Sequence, residues 1–329
     1  MAYPILNTKG SCFNRHEKKK PEGGATLQTA AQETKIKPFF TMSRKRGLTG
    51  WLFLSVASAL IILTSFYPFI RAIEMAMQTG AGTRMRFAGL LNFQRLLADP
   101  HLQQVLSNTF LFLIVQVPMM ILLGLVLAAM LNDPKLKGKG IFRTAIFLPC
   151  AVGLVAYSMV FRQMFAVDGI VNTFLVGVGF LDTGYNFLGT AWSARMVIII
   201  GLMWRWTGYN MMFYLAGLQQ IDPAIYEAAK IDGASVIQQF RKITLPLLRP
   251  MILLTAIMST TGTLQLFDEP FNLTNGGPGI ATRTIAFHVF NVGFQQSPNL
   301  GYASAVALLI FVIAAILGLI QIKVGDKRW

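Results

Sequence analysis

The chain is short of charge. Only 13% of its 329 residues are Asp, Glu, Lys or Arg, about half the share in an ordinary soluble domain. Apolar residues make up 54% of it, and its mean hydropathy is +0.53. So few charges cannot clothe the water-exposed surface of a 36.4 kDa protein, and a cytosolic multidomain enzyme is excluded. Cysteine is nearly absent: Cys12 lies in a polar stretch and Cys150 in an apolar run, so no structural disulfide or metal cluster is expected. The three histidines, His16, His101 and His288, are scattered, leaving no constellation for a membrane-embedded hydrolase or a metal site. A phosphate-binding Gly-x-x-x-x-Gly-Lys-Ser/Thr loop is missing too. Gly138-Lys139-Gly140 lacks both the leading glycine spacing and the following hydroxyl, so the chain is not expected to hydrolyse ATP.

Long apolar runs are what the sequence has instead. A stretch of about 20 residues crosses some 30 Å of hydrocarbon, and six runs qualify: Trp51 to Ile70, Thr109 to Leu131, Thr144 to Phe165, Ala194 to Gly217, Pro250 to Phe271 and Gly301 to Ile322. The expected fold is all-α, a polytopic membrane bundle of six transmembrane helices. Pro118 and Pro149 are tolerable kinks, because neighbouring helices satisfy the freed carbonyls.

Basic residues set the orientation. The leader before Trp51, the stretches holding Lys135, Lys137, Lys139 and Arg143, then Lys230, Arg241, Lys242 and Arg249, and finally Lys323, Lys327 and Arg328 carry twenty-one. The other side carries five: Arg71, Arg84, Arg86, Arg95 and Arg283. The positive-inside rule then puts both termini in the cytoplasm. The same asymmetry accounts for the net charge of +15 without nucleic acid. Residues 1–46 read as a disordered basic cytoplasmic leader, with Met42 before Ser43-Arg44-Lys45-Arg46 as an alternative start. Residues 47–329 form the membrane domain.

The loop at 218–249 is the most informative segment. Asp222 can cap a helix with Pro223 at its first position, and Tyr226-Glu227-Ala228-Ala229-Lys230 favours helix. Gly233 allows a left-handed cap, and Pro246 ends a second short helix before Pro250. Helix, turn and helix make a low-profile elbow suited to a partner's groove.

Glu227, Ala228, Ala229, then Asp232-Gly233, then Ile243, Leu245 and Pro246 at this spacing resemble the EAA loop of permease subunits of ABC importers. Ile243-Thr244-Leu245-Pro246-Leu247-Leu248-Arg249-Pro250, Leu273-Thr274-Asn275-Gly276-Gly277-Pro278 and Leu91-Asn92-Phe93 resemble the maltose-permease-like, sugar-importing branch. The resemblance runs from Gly47 to Trp329. It implies a type I importer permease fold in the bacterial cytoplasmic (inner) membrane. It also implies a second permease subunit, a cytoplasmic ABC ATPase dimer seated on the elbow, and an extracytoplasmic solute-binding protein. ATP and magnesium would belong to the ATPase, with no cofactor on this chain, and membrane lipid would surround it.

Polar residues inside apolar crossings are costly and usually face a pathway. Trp206, Tyr209 and Asn210 in the fourth crossing, with Ser259, Gly262 and Gln265 in the fifth, supply the aromatic faces and hydrogen-bonding groups that a sugar wants. Asp268 and Glu269 lie nearer the outer mouth. Arg205, at the same depth as Trp206, needs an anion, carbonyls or water. Asp268 is one candidate partner, and a pathway-facing Arg205 would instead favour glycerol phosphate or another small anion. From a different class, a stand-alone ion-coupled secondary transporter would want a buried carboxylate relay and paired half-repeats.

Overall fold

The computed structural model describes residues 42–80, 85–295 and 298–325. Most of the expected leader, up to residue 41, lies outside the described residues. The chain divides at Ala59/Leu60. In the first unit, helix α1 (Met42–Ile61) begins, and residues 49–59 are exposed along it.

The second unit is helical, with one small hairpin. A π-helical turn (Ile62–Phe66) leads into α2 (Tyr67–Ala76), then the hairpin β1 (Gln78–Thr79) and β2 (Arg86–Phe87), α3 (Leu91–Ala98) and α4 (Pro100–Asn132). Next come α5 (Lys139–Ala151), α6 (Leu154–Met164), α7 (Ile170–Gly177) and α8 (Ala191–Leu218). The expected elbow is α9 (Pro223–Ile231) and α10 (Val236–Gln239), followed by a π turn (Phe240–Thr244) and α11 (Leu245–Leu247). The chain finishes with α12 (Arg249–Leu264), a π turn (Pro270–Thr274), α13 (Ile285–Phe290), a π turn (Asn291–Gln295) and α14 (Leu300–Gly325).

Three helical stretches, Thr49–Ala76, Pro100–Asn132 and Leu300–Gly325, are long and apolar enough to cross a membrane, and two bent pairs raise the number to five. The remaining expected run, the fourth, falls in α8, whose 28 residues span about 42 Å at 1.5 Å each. Its middle, Trp204 to Asn210, is too polar to match the others in composition.

Two crossings differ from their expected form. The third is not one helix from Thr144 to Phe165: α5 and α6 meet at 98°. Pro149 sits in the last turn of α5, and Val152 and Gly153 are extended, so the chain turns where helical hydrogen bonding has lapsed. The fifth does not run to Phe271. It stops at Leu264, and Gln265 to Phe267 are unwound. Thr261 and Thr263 donate to the carbonyls of Ile257 (2.9 Å) and Ser259 (2.8 Å) one turn back, a bonding pattern that weakens a helix end. The freed carbonyl of Leu266 accepts the Thr284 hydroxyl instead.

Pro246 does not end its helix, which continues to Leu247. The π turn before it carries the Leu245 N–H to the Phe240 carbonyl, a wide turn that makes room for the ring. Pro68 follows the first π turn in the same way.

Three apolar clusters hold the unit together. One gathers Phe112, Tyr157, Phe161, Ile198 and Leu202, a second gathers Leu125, Leu131, Met211, Tyr214 and Leu248, and a third gathers Leu102, Val105, Ile285 and Tyr302. α4, α5 and α8 pack against one another. At the end remote from the elbow, Asn108 donates to the carbonyls of Ile280 (2.8 Å) and Arg283 (2.9 Å) and accepts from Arg195 (2.8 Å), which also donates to the Ala281 carbonyl. Nearby, Asp99 caps α4 and accepts the Tyr302 hydroxyl at 2.5 Å. His288 lies 3.9 Å from the same carboxylate. Burial holds its pKa below the usual 6.5, with Asp99 opposing and Arg283, His101 and Arg95 reinforcing the shift, so it is neutral at pH 7.

A Cβ on Gly208 of α8 would lie 2.0 Å from the Ile146 carbonyl of α5, backbone against backbone, whereas one on Gly318 of α14 would meet nothing. Gly208→Ala should destabilise the detergent-solubilised protein by about 1–3 kcal/mol through forced separation of the two helices. Gly318→Ala should be neutral. Thermal unfolding of the two variants side by side measures the contrast, and equal stabilities would contradict this packing.

Candidate functional site

Helical spacing brings the α8 residues together. Trp206, Tyr209 and Asn210 stand at i, i+3 and i+4 and share one face. Ser259, Gly262 and Thr263 repeat that spacing on α12, and the unwound stretch with the helical turn that follows it adds Gln265 to Glu269. From α4 come Gln116 and Met120, one turn apart. These residues line a single cavity of about 340 Å³, completed by Leu154, Leu202 and Met258. Six of the seven expected pathway residues therefore meet at one place, and the seventh, Arg205, does not line it.

The lining mixes flat apolar faces with hydrogen-bonding groups. Trp206 and Tyr209 pack edge to face at 6.0 Å, and Tyr209 packs likewise on Phe213 at 5.0 Å. Asn210 is buried and donates only a long bond, 3.4 Å, to the Trp206 carbonyl. Gln116 is buried as well; its amide nitrogen contacts the Met120 sulfur at 3.2 Å, and its Oε1 has no partner within the chain. A buried acceptor left free at a cavity wall is costly unless something enters to donate to it.

Arg205 takes another position. It is buried, with its guanidinium carbon 5.0 Å from the Tyr157 ring and 5.4 Å from the Trp206 ring. No ion pair with Asp268 forms. The Arg205 charge acts electrostatically on the buried Glu269. Aromatic faces stabilise a desolvated guanidinium, while the Nε and Nη1 of Arg205 have no hydrogen-bond partner among the described residues.

At the other end of α8 the elbow is built as the loop sequence implies. Asp222 accepts the Ala224 N–H at 2.9 Å with Pro223 at the first position. α9 closes in a left-handed cap: Ala234 N–H reaches the Ala229 carbonyl (2.9 Å), Gly233 N–H reaches that of Lys230 (3.1 Å), and Gly233 has φ +77°. Ser235 and Gln238 cap the next helix reciprocally. The Tyr226 hydroxyl meets that of Thr244 at 2.8 Å, tying the two arms. Glu227, Ala228, Asp232, Gly233 and Leu245 are exposed, and Ala229, Ile243 and Pro246 are half-buried. Ile231, Val236 and Ile237 expose 87%, 81% and 71% of their surface, an apolar tip with no cover.

The sequence profile of the binding-protein-dependent transport system inner membrane component matches residues 102–326. The chain belongs to this family. Its relatives include the lactose transport system permease LacF of Rhizobium radiobacter, 46% identical over 88% of this chain and 97% of the relative. The arabinooligosaccharides permease AraP of Halalkalibacterium halodurans is 31% identical over 93% and 99%. The trehalose/maltose permease MalF of Thermococcus litoralis is 37% identical over 74% and 81%. In fold the chain is similar to a crystal structure of a bacterial ABC transporter involved in the import of the acidic polysaccharide alginate, with a TM-score of 0.75 and 24% identity over 87% of this chain and 98% of that one. This inner-membrane transport component is thus a multi-pass protein of the type I importer permease fold, and cavity and elbow both lie inside the matched range.

Sequence reasoning missed Gln116, Met120, Met258 and Thr263 as lining residues of this transport component. Gln116 was findable as a polar side chain in an otherwise apolar crossing. The methionines carried no signal. Asp268 and Glu269, expected only near a mouth, sit in the wall because α12 unwinds at Gln265.

If Arg205 serves Glu269 rather than solute, Arg205→Met and Glu269→Gln should be coupled in stability. The double variant is expected to be more stable than the sum of the single losses by about 1 kcal/mol. Thermal unfolding of the four proteins in one detergent measures it, and strict additivity would separate the two residues.

Proposed function

We propose that the chain is the membrane subunit of an ATP-driven importer in which it and a second permease enclose the path of a di- or oligosaccharide. The observation that carries this reading is the convergence of Trp206, Tyr209, Asn210, Ser259, Gly262 and Gln265 on one cavity. Aromatic faces suit the C–H side of a sugar ring, and amides and hydroxyls suit its hydroxyl groups. A volume of about 340 Å³ is at the small end of ligand pockets, as expected of one half of a path that a second subunit completes. The sugars in the names of relatives that share most of their length with this chain support the solute class.

In this reading the elbow of α9 and α10 is the coupling element. Glu227, Ala228, Ala229, Asp232, Gly233, Ile243, Leu245 and Pro246 shape it, and the apolar tip around Ile231 and Val236 enters a groove of a cytoplasmic ABC ATPase dimer. ATP and magnesium are held by that ATPase, and this chain binds no cofactor and carries out no hydrolysis. Closure of the ATPases moves the elbow as a rigid body, which its full set of cap bonds allows, and the crossings exchange inward- and outward-facing states. An extracytoplasmic binding protein delivers solute at the opposite face. In this reading both termini are cytoplasmic, which the distribution of basic residues supports.

Trp206→Ala or Asn210→Ala should lower solute-stimulated ATP hydrolysis by the assembled, reconstituted complex about tenfold, the loss of roughly one good contact, with assembly intact. Unchanged stimulation in both would remove the cavity from the path. Gly233→Asp should abolish uptake while the protein remains in the membrane. Its Cβ meets nothing within the chain, so the damage falls on the left-handed cap and on the fit to the partner. Uptake that survives this change would mean the elbow does not transmit.

A further inference from the structure

The cavity wall holds two carboxylates, Asp268 and Glu269, and neither lysine nor arginine. The two acids are not equivalent. Glu269 is buried and withdrawn from solvent. Asp268 is exposed and forms no ion pair among the described residues. Asn272 donates to its backbone carbonyl (2.8 Å) rather than to its carboxylate. One uncompensated negative charge therefore faces the space.

From this arrangement we propose that Asp268 is the charge selector of the cavity. Its carboxylate accepts hydrogen bonds from the hydroxyls of a neutral sugar and turns away solutes that carry a carboxylate or phosphate. The inference rests on the cavity being the solute path, and it decides between the two solutes that Arg205 leaves open in the sequence: neutral sugar, not a small anion. Two like charges about 6 Å apart at the effective permittivity of a protein surface repel strongly enough to lower affinity roughly a hundredfold. No cation in the wall offsets that repulsion.

Lactitol and lactobionate are a matched pair of probes, alike except that a CH₂OH group in one is a carboxylate in the other. Their binding to the assembled transporter in nanodiscs, nucleotide-free and without the binding protein, can be compared by saturation-transfer NMR. Lactitol should bind and lactobionate should bind at least tenfold more weakly. Asp268→Asn should close most of that gap, chiefly by admitting lactobionate. Independently of any variant, raising the salt concentration should strengthen lactobionate binding to the unaltered protein, since screening weakens the repulsion.

Equal binding of the two probes to the unaltered protein would overturn the selector. So would a preference indifferent to both Asp268→Asn and salt. Failure of the path itself looks different: lactitol would not bind at all, or would bind equally well after Trp206→Ala.

Discussion

The termination of α12 at Leu264 is the constraint on which the site depends. Had the helix continued to Phe271, Asp268 and Glu269 would have been carried a turn or more away from Ser259 and Gly262, and no wall would have closed around Gln265. Inside hydrocarbon such a break is tolerable only where protein or a cavity receives the freed backbone groups. Here the Thr284 hydroxyl takes the Leu266 carbonyl, and the loop that carries Thr284 is fixed by Asn108 and Arg195. The cavity therefore leans on hydrogen bonds made at the far end of the bundle, through residues that never touch it.

α8 connects that cavity to the rest of the bundle. One face gives it Trp206, Tyr209 and Asn210, another packs Gly208 against the α5 backbone, and Arg205 points between aromatic rings. Farther along, Tyr214 meets Thr255 of α12 at 2.5 Å, and Leu218 and Leu248 pack in the cluster beside the elbow. A displacement of the elbow is therefore felt by α8 and α12 together, the two helices that line the cavity. That shared packing is a physical route for motion between elbow and cavity, because packed helices move as units rather than deforming continuously.

Polarity is spent sparingly and in few places. Among the buried polar residues, Gln116, Asn210, Thr263 and Glu269 belong to the cavity wall, Asn108 and Thr109 to the cluster at the remote end, and His288 to the group with Asp99 and Tyr302. Elsewhere the surface is apolar, with long runs of exposed Leu, Ile, Val and Phe on α1, α2 and α14. Such a surface is stable only against lipid or a partner helix.

The sequence by itself determined the class of the protein and the elbow. Composition and run length depend only on solvent, and a helix cap depends on residues close in the chain, so Asp222, Pro223 and Gly233 were legible locally. It also determined which residues of α8 share a face, because that follows from a period of 3.6. Only the tertiary structure decided that the third crossing bends at Val152 and Gly153, that α12 unwinds at Gln265, and that Gln116 of α4 joins the wall. It also decided that Arg205 lies over the Tyr157 and Trp206 rings. The unwinding leans on the Thr284 hydroxyl and the place of Arg205 on the Tyr157 ring, both supplied by distant segments, and spacing along one chain carries no information about which distant segment that is.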